Sequence, residues 1–134
     1  PLVDLQGKKV AVQRASTYDK YATDKFAPAG IEVVRYGSQN EAFLDLAAGR
    51  VDATLADVVN IDDGFLKTDA GKGCILVGPD FNDEVYFGNG AGIAVRKGDK
   101  VTADKFNAAI AAIRANGKYQ QVQDKYFTFN VYGE

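Results

Sequence analysis

Apolar and polar residues repeat along the chain with two different periods, and the points where one period gives way to the other predict its elements. Residues 8–13 (KKVAVQ) are a short β-branched run and predict a strand. Behind it, Ser16-Thr17-Tyr18-Asp19 puts a hydroxyl N-cap ahead of an acid in the first turn, which predicts a helix. That helix stops at Pro28-Ala29-Gly30, and residues 31–36 (IEVVRY) predict the next strand. Ser38-Gln39-Asn40-Glu41 has the spacing of a capping box, in which the serine hydroxyl and the glutamate carboxylate each satisfy an orphan backbone N–H. The helix it opens runs to about Ala48, with Gly49 as its C′ residue, and residues 51–55 (VDATL) follow as a third strand. Asp57, just past that strand, can cap a helix over 58–67. After a turn at Gly71 and Gly73, residues 74–77 and 92–96 predict two more strands. Phe106, Ala109, Ile110 and Ile113 then fall at i, i+3, i+4 and i+7 of an amphipathic helix that ends at Asn116-Gly117. Tyr119, Val122 and Tyr126 predict a second short helix behind it.

Strands alternating with helices imply βαβ crossovers and a parallel sheet covered on both faces, so the fold class is α/β. In such sheets ligands bind outside the carboxyl ends of the strands, where helix N-termini converge. Two segments occupy that position. Ser16-Thr17-Tyr18 leaves the first strand with backbone N–H groups and hydroxyls that can receive a carboxylate or phosphate, or that merely cap their own helix. Asp57 leaves the third strand, where an ionised carboxylate can accept charge-assisted bonds from a ligand ammonium or, again, cap its helix. An anion receptor beside a carboxylate is the chemistry of an α-amino acid. Arg14-Ala15-Ser16 lacks the glycines of a phosphate loop, which disfavours nucleotides.

Composition narrows the choice of chemistry. The 134 residues are 46% hydrophobic and 25% charged, the balance of one globular domain with a single core. No run approaches the roughly 18 consecutive apolar residues of a membrane helix, and any export signal is expected to have been removed already. With no histidine and only Cys74, the chain cannot build a His-dependent catalytic triad, a Cys/His zinc site or an internal disulfide. Cys74 reads as a small apolar residue and Asp62-Asp63 as a solvated helix face. A net charge of −2 argues against a nucleic-acid partner. That charge is uneven, with −5 over residues 1–88 and +3 over residues 89–134. Between them Gly88-Asn89-Gly90-Ala91-Gly92 has the glycine content of a hinge or crossover.

The order of several short motifs carries a resemblance. Leu5-Gln6-Gly7-Lys8-Lys9-Val10-Ala11-Val12, then Ser16-Thr17, then Ala47-Ala48-Gly49-Arg50-Val51-Asp52-Ala53 with Asp57, then Gly64-Phe65-Leu66-Lys67 run along the first part. Ala115-Asn116-Gly117-Lys118-Tyr119, Lys125-Tyr126-Phe127 and Val131-Tyr132-Gly133 complete the series. In this order they resemble the C-terminal half of a periplasmic amino-acid-binding protein of an ABC importer, nearest the lysine/arginine/ornithine- and histidine-binding branch.

The resemblance implies a type II periplasmic binding fold, two α/β lobes joined by two crossing strands that close on an amino acid. It implies that residues 1–87 are most of lobe 2, residues 88–92 the return crossover, and residues 93–134 the strand and two helices that finish lobe 1. By position, Thr17 would receive the ligand carboxylate through its N–H, Ser16 would line the same place, and Asp57 would hold the α-ammonium. Gln13 and Tyr18 stand where the family has Leu and often Gln, so the side-chain end of the site departs from the pattern. The family's carboxylate-binding arginine belongs to the first half of lobe 1, and neither Arg14 nor Arg35 matches it. The expected function is capture of a basic amino acid in the periplasm and delivery to an ABC membrane permease, without catalysis, cofactor or metal. The expected partner for residues 93–134 is the missing half of lobe 1, or a second copy of the chain by exchange. Two rivals remain: a dehydratase of prephenate or arogenate type on the same scaffold, for which only Asp57 is placed as an acid, and a non-binding assembly module.

Overall fold

Three β-branched runs find one another in the computed structural model of the chain, which describes residues 2–78 and 82–132. They are β1 (Lys9–Gln13), β2 (Glu32–Tyr36) and β3 (Ala53–Thr54). All are parallel, in the order β2-β1-β3, with Val10 paired to Val33 on one side and to Ala53 on the other. The chain folds as two units, residues 1–89 and residues 90–134.

In the first unit β1 is the middle strand, and the alternation of its side chains separates two apolar clusters. Val10 and Val12 pack with Ala22, Phe26 and Ile31 on one face, under the helix α1 (Thr17–Tyr21) and the π-helical turn Ala22–Phe26 that prolongs it. Ala11 faces the other way, onto Ala42 of α2 (Gln39–Ala47) and Val51. Both faces of the parallel sheet are therefore covered.

The helix signals are realised atom by atom. Ser16 caps α1, its Oγ accepting from the Asp19 N–H at 3.1 Å. Ser38 and Glu41 form the reciprocal box that opens α2, at 3.3 and 3.0 Å. Asp57 caps α3 (Val58–Ile61), which continues through the π-helical turn Asp62–Leu66 and so fills the predicted 58–67 helix. Phe65 of that turn stacks on Phe43 of α2 with ring centroids 4.6 Å apart. Asp62 and Asp63 both meet Lys67, at 2.6 and 2.5 Å, on the exposed side. A short helix the sequence did not announce, α4 (Glu84–Phe87), lays Phe87 and Tyr86 on α1.

Two predicted strands are corrected. Residues 74–77 and 92–96 belong to no strand and no helix among the described residues. A strand exists only through a paired neighbour, and here the apolar residues of both segments, Ile75 and Ile93 among them, stand exposed. The third strand is also shorter than predicted, two residues in place of 51–55. Backbone bonds from Asp52 to Lys9 and from Leu55 to Ala11 still carry the chain alongside β1.

In the second unit α5 (Lys100–Ala115) bears the predicted apolar face and ends at Asn116 and Gly117, where φ is +76°. The following helix, α6 (Lys118–Gln123), stops short of Tyr126. Its buried Gln123 accepts from the Val131 N–H at 3.0 Å, and the Arg114 guanidinium lies 3.5 Å from the centre of the Tyr132 ring. Gly133, the last residue of the C-terminal motif, lies outside the described residues.

Candidate functional site

The carboxyl edge of the sheet collects three helix N-termini, each opened by a side-chain cap: Ser16 after β1, Ser38 after β2 and Asp57 after β3. Because β1 and β3 are neighbours in parallel register, with Ala11 opposite Thr54, both strands leave the sheet at the same edge. Between these exits a hydrogen-bond chain runs from Gln39 Nε2 to Thr54 Oγ1 and from that hydroxyl to the Ala11 carbonyl, each step 3.0 Å.

At the β1 exit the capping pattern decides which groups remain available. The Ser16 hydroxyl donates to the Gln13 carbonyl at 2.7 Å while accepting from Asp19, so its proton is committed. Among the described residues the N–H groups of Thr17 and Tyr18 have no acceptor, and they lie at the positive end of α1. The Tyr18 ring is half-buried against Phe87, centroid to centroid 5.0 Å. Its hydroxyl is harder to ionise than a free tyrosine, first because it is buried and second because the Asp57 carboxylate is close. That electrostatic contact ties the β1 exit to the β3 exit. Asp57 is exposed, and its Oδ1 accepts from the Val59 and Asn60 N–H groups at 2.9 and 3.3 Å. Ser16, Thr17, Tyr18 and Asp57 thus share one edge. Gln13 reaches it through its carbonyl, and its side chain is exposed at the end of β1.

An open groove elsewhere in this unit, about 300 Å³, is lined by Asn40, Phe43, Leu44, Gly64, Phe65, Thr68 and Ala70 and contains none of these residues. Among the described residues no cluster of acidic, cysteine or histidine side chains has the makings of a metal site.

The sequence profile of the bacterial extracellular solute-binding proteins, family 3, matches residues 5–129. The chain belongs to this family. It is 65% identical over 133 residues to the L-arginine-binding protein of Pseudomonas aeruginosa, covering 99% of this chain and 51% of that protein. It is 43% identical over 135 residues to the lysine/arginine/ornithine-binding periplasmic protein of Escherichia coli, covering 100% of this chain and 52% of that one. Among solved structures, a Salmonella typhimurium periplasmic binding protein described for its high arginine specificity superposes with a TM-score of 0.72 at 34% identity, over 96% of this chain and 55% of its own. This family 3 chain therefore has the type II periplasmic binding fold, and it spans about half the length of the curated relatives it matches. The relatives named here are binding proteins.

Three features of this family 3 edge were not foreseen from the sequence. Asp19 and Arg35 brace the β1–α1 turn, with Arg35 Nε 2.7 Å from Asp19 Oδ1. Phe87 backs the Tyr18 ring from α4. Gln39 and Thr54 fill the space between the exits. An acid three residues after a serine was a visible signal for Asp19; Arg35, Phe87 and the Gln39–Thr54 pair act from other elements and left none.

Proposed function

We propose that this chain supplies the lobe that captures an amino acid, a basic one, for a periplasmic binding protein that delivers it to an ABC membrane permease. The ligand carboxylate is received by the Thr17 N–H, with Ser16 lining the same place, and the Asp57 carboxylate holds the α-ammonium. Tyr18 and Gln13 border the end where the ligand side chain extends. The observation that carries this reading is a negative charge, Asp57, acting on Tyr18 across the strand exits, next to two backbone N–H groups that have no acceptor among the described residues. Unpaired donors at a helix start favour an anion, and an ionised acid beside them favours a cation. An α-amino acid presents both at that spacing. The 65% identity to an arginine-binding protein supports a basic ligand.

No turnover is assigned. A dehydratase would need an acid and a second group to work with it, whereas the relatives the chain matches are binding proteins. The other half of the fold completes the site, or a second copy supplies residues 93–134 by exchange.

Calorimetry with arginine tests the reading. Each charge-assisted bond contributes about 1.5–3 kcal/mol before the entropy of association is subtracted, so the isolated chain should bind in the millimolar range or weaker. Joined to the other half of the fold it should bind arginine far more tightly than glutamate. Equal weakness toward every amino acid in the joined protein would remove the reading.

A further inference from the structure

The turn that leads into the candidate site contains a backbone conformation that its residue does not favour. Ala15 has φ of +59°, the one non-glycine residue with positive φ among those described. In that region the Cβ crowds the backbone, so an alanine stays there only when its surroundings hold it. The hold is visible. The Ala15 N–H donates to Asp19 Oδ2 at 3.0 Å, and the other oxygen of the same carboxylate accepts from Arg35 Nε at 2.7 Å. Arg35 belongs to β2, and its second nitrogen donates to Thr23 Oγ1 at 2.7 Å. Asp19 thus spans from the turn to the sheet with one oxygen on each. Its side chain retains 13% exposure. Burial alone would raise its pKa, but the bonds from Ala15, Arg35 and Thr23 outweigh burial and hold the carboxyl below its ordinary value.

The two residues after Ser16 carry the unpaired N–H groups, so whatever sets the angle of Ala15 sets where those groups point. We propose that Asp19, clamped by Arg35, is a positioning residue: it holds Ala15 in the left-handed conformation and thereby aims the Thr17 and Tyr18 N–H groups at the ligand carboxylate. This rests on the functional reading above.

The sign of its effect separates positioning from charge. A carboxylate near a bound anion repels it, so a purely electrostatic Asp19 would bind ligand better once neutralised. A positioning Asp19 predicts the opposite. Glycine adopts positive φ without help, so placing it at position 15 should make the hold unnecessary. In a protein joining this chain to the other half of the fold, Asp19→Ala should weaken arginine binding about fivefold or more, a coupling typical of groups in one network. Ala15→Gly alone should stay within about twofold of the parent, and Ala15→Gly on top of Asp19→Ala should restore most of the loss. Asp19→Asn, which keeps the shape and one accepting oxygen, should fall between. Unchanged or tighter binding by Asp19→Ala, or a double variant as weak as Asp19→Ala alone, overturns the proposal.

A ligand-free arm keeps this question distinct from the functional reading. In the 134-residue chain itself, Asp19→Ala should lower the melting temperature by a few degrees with alanine at position 15, and by clearly less with Ala15→Gly present. Equal falls in the two backgrounds overturn the hold on Ala15. A joined protein that binds no amino acid defeats the functional reading, and the ligand-free arm then decides the role of Asp19.

Discussion

Asp57 divides its two oxygens between two tasks. Oδ1 caps α3 through the Val59 and Asn60 N–H groups, while Oδ2 accepts no hydrogen bond among the described residues. Two substitutions separate the tasks. Asn keeps a capping oxygen of equal quality and removes the charge, so Asp57→Asn in a protein with both lobes should melt within a degree or so of the parent. It should bind arginine at least about tenfold more weakly, because an ammonium left without its desolvated partner costs about 2–5 kcal/mol. Asp57→Ala loses the cap as well, at a further cost of about 0.5–2 kcal/mol in stability. Melting curves beside calorimetry check both, and parental affinity in Asp57→Asn would leave Asp57 a cap and nothing more. At this scale the sequence was readable wherever a residue acts within its own turn. Ser16, Ser38 and Asp57 each bond to an N–H two or three residues ahead, so four consecutive letters contain the whole interaction. The backbone angle of Ala15 was not readable, because Arg35, which clamps its acceptor, lies 16 residues from Asp19 on another strand.

The pairing of α2 with the α3 extension depends on one small residue. Gly71 is buried, and a Cβ there would collide with the Phe65 carbonyl and the Leu66 backbone, neither of which can rotate away. Phe65 is also the ring stacked on Phe43, so any backbone shift that makes room disturbs the α2 contact. Gly71→Ala should therefore destabilise by about 1–3 kcal/mol, the range for overpacking a closed core. Gly73, two residues on, has nothing within 4 Å of its Cβ position and no positive φ, so Gly73→Ala is the matched control. Thermal melts of the two variants that coincide would mean that the 69–71 turn yields freely. Elements were foreseen here in proportion to how local their causes are. Helices with their own caps mostly matched expectation, including the amphipathic α5, but α4, capped by Asp83 through the Val85 N–H, did not. The strands expected at 74–77 and 92–96 did not, since alternation and β-branching describe what a segment can pair with and not whether a partner is present. The short α4 escaped notice because its four residues gain their place from rings on α1, Tyr18 and Tyr21, more than 60 residues earlier in the chain.

Both units present apolar side chains to solvent. In the first, Ile75, Leu76 and Val77 are exposed on a segment that joins no strand among the described residues; in the second, Ile93, Val101, Phe106, Ile113, Val122 and Tyr126 are exposed. Covering such side chains favours association in proportion to the apolar area taken from water, against the entropy of association. The sheet of residues 1–89 has its own helices on both faces. Exchange of residues 93–134 between two copies across the Gly88–Gly92 glycines would close with two-fold symmetry and would leave no third copy a site to join. We therefore expect light scattering on the 134-residue chain at about 100 μM to give the mass of two chains, and dilution to dissociate them by mass action. Adding the other half of the fold should compete, converting the dimer to a one-to-one complex. A mass of one chain at that concentration, with residues 93–134 protected from hydrogen exchange, would show instead that the second unit finds its cover within its own chain.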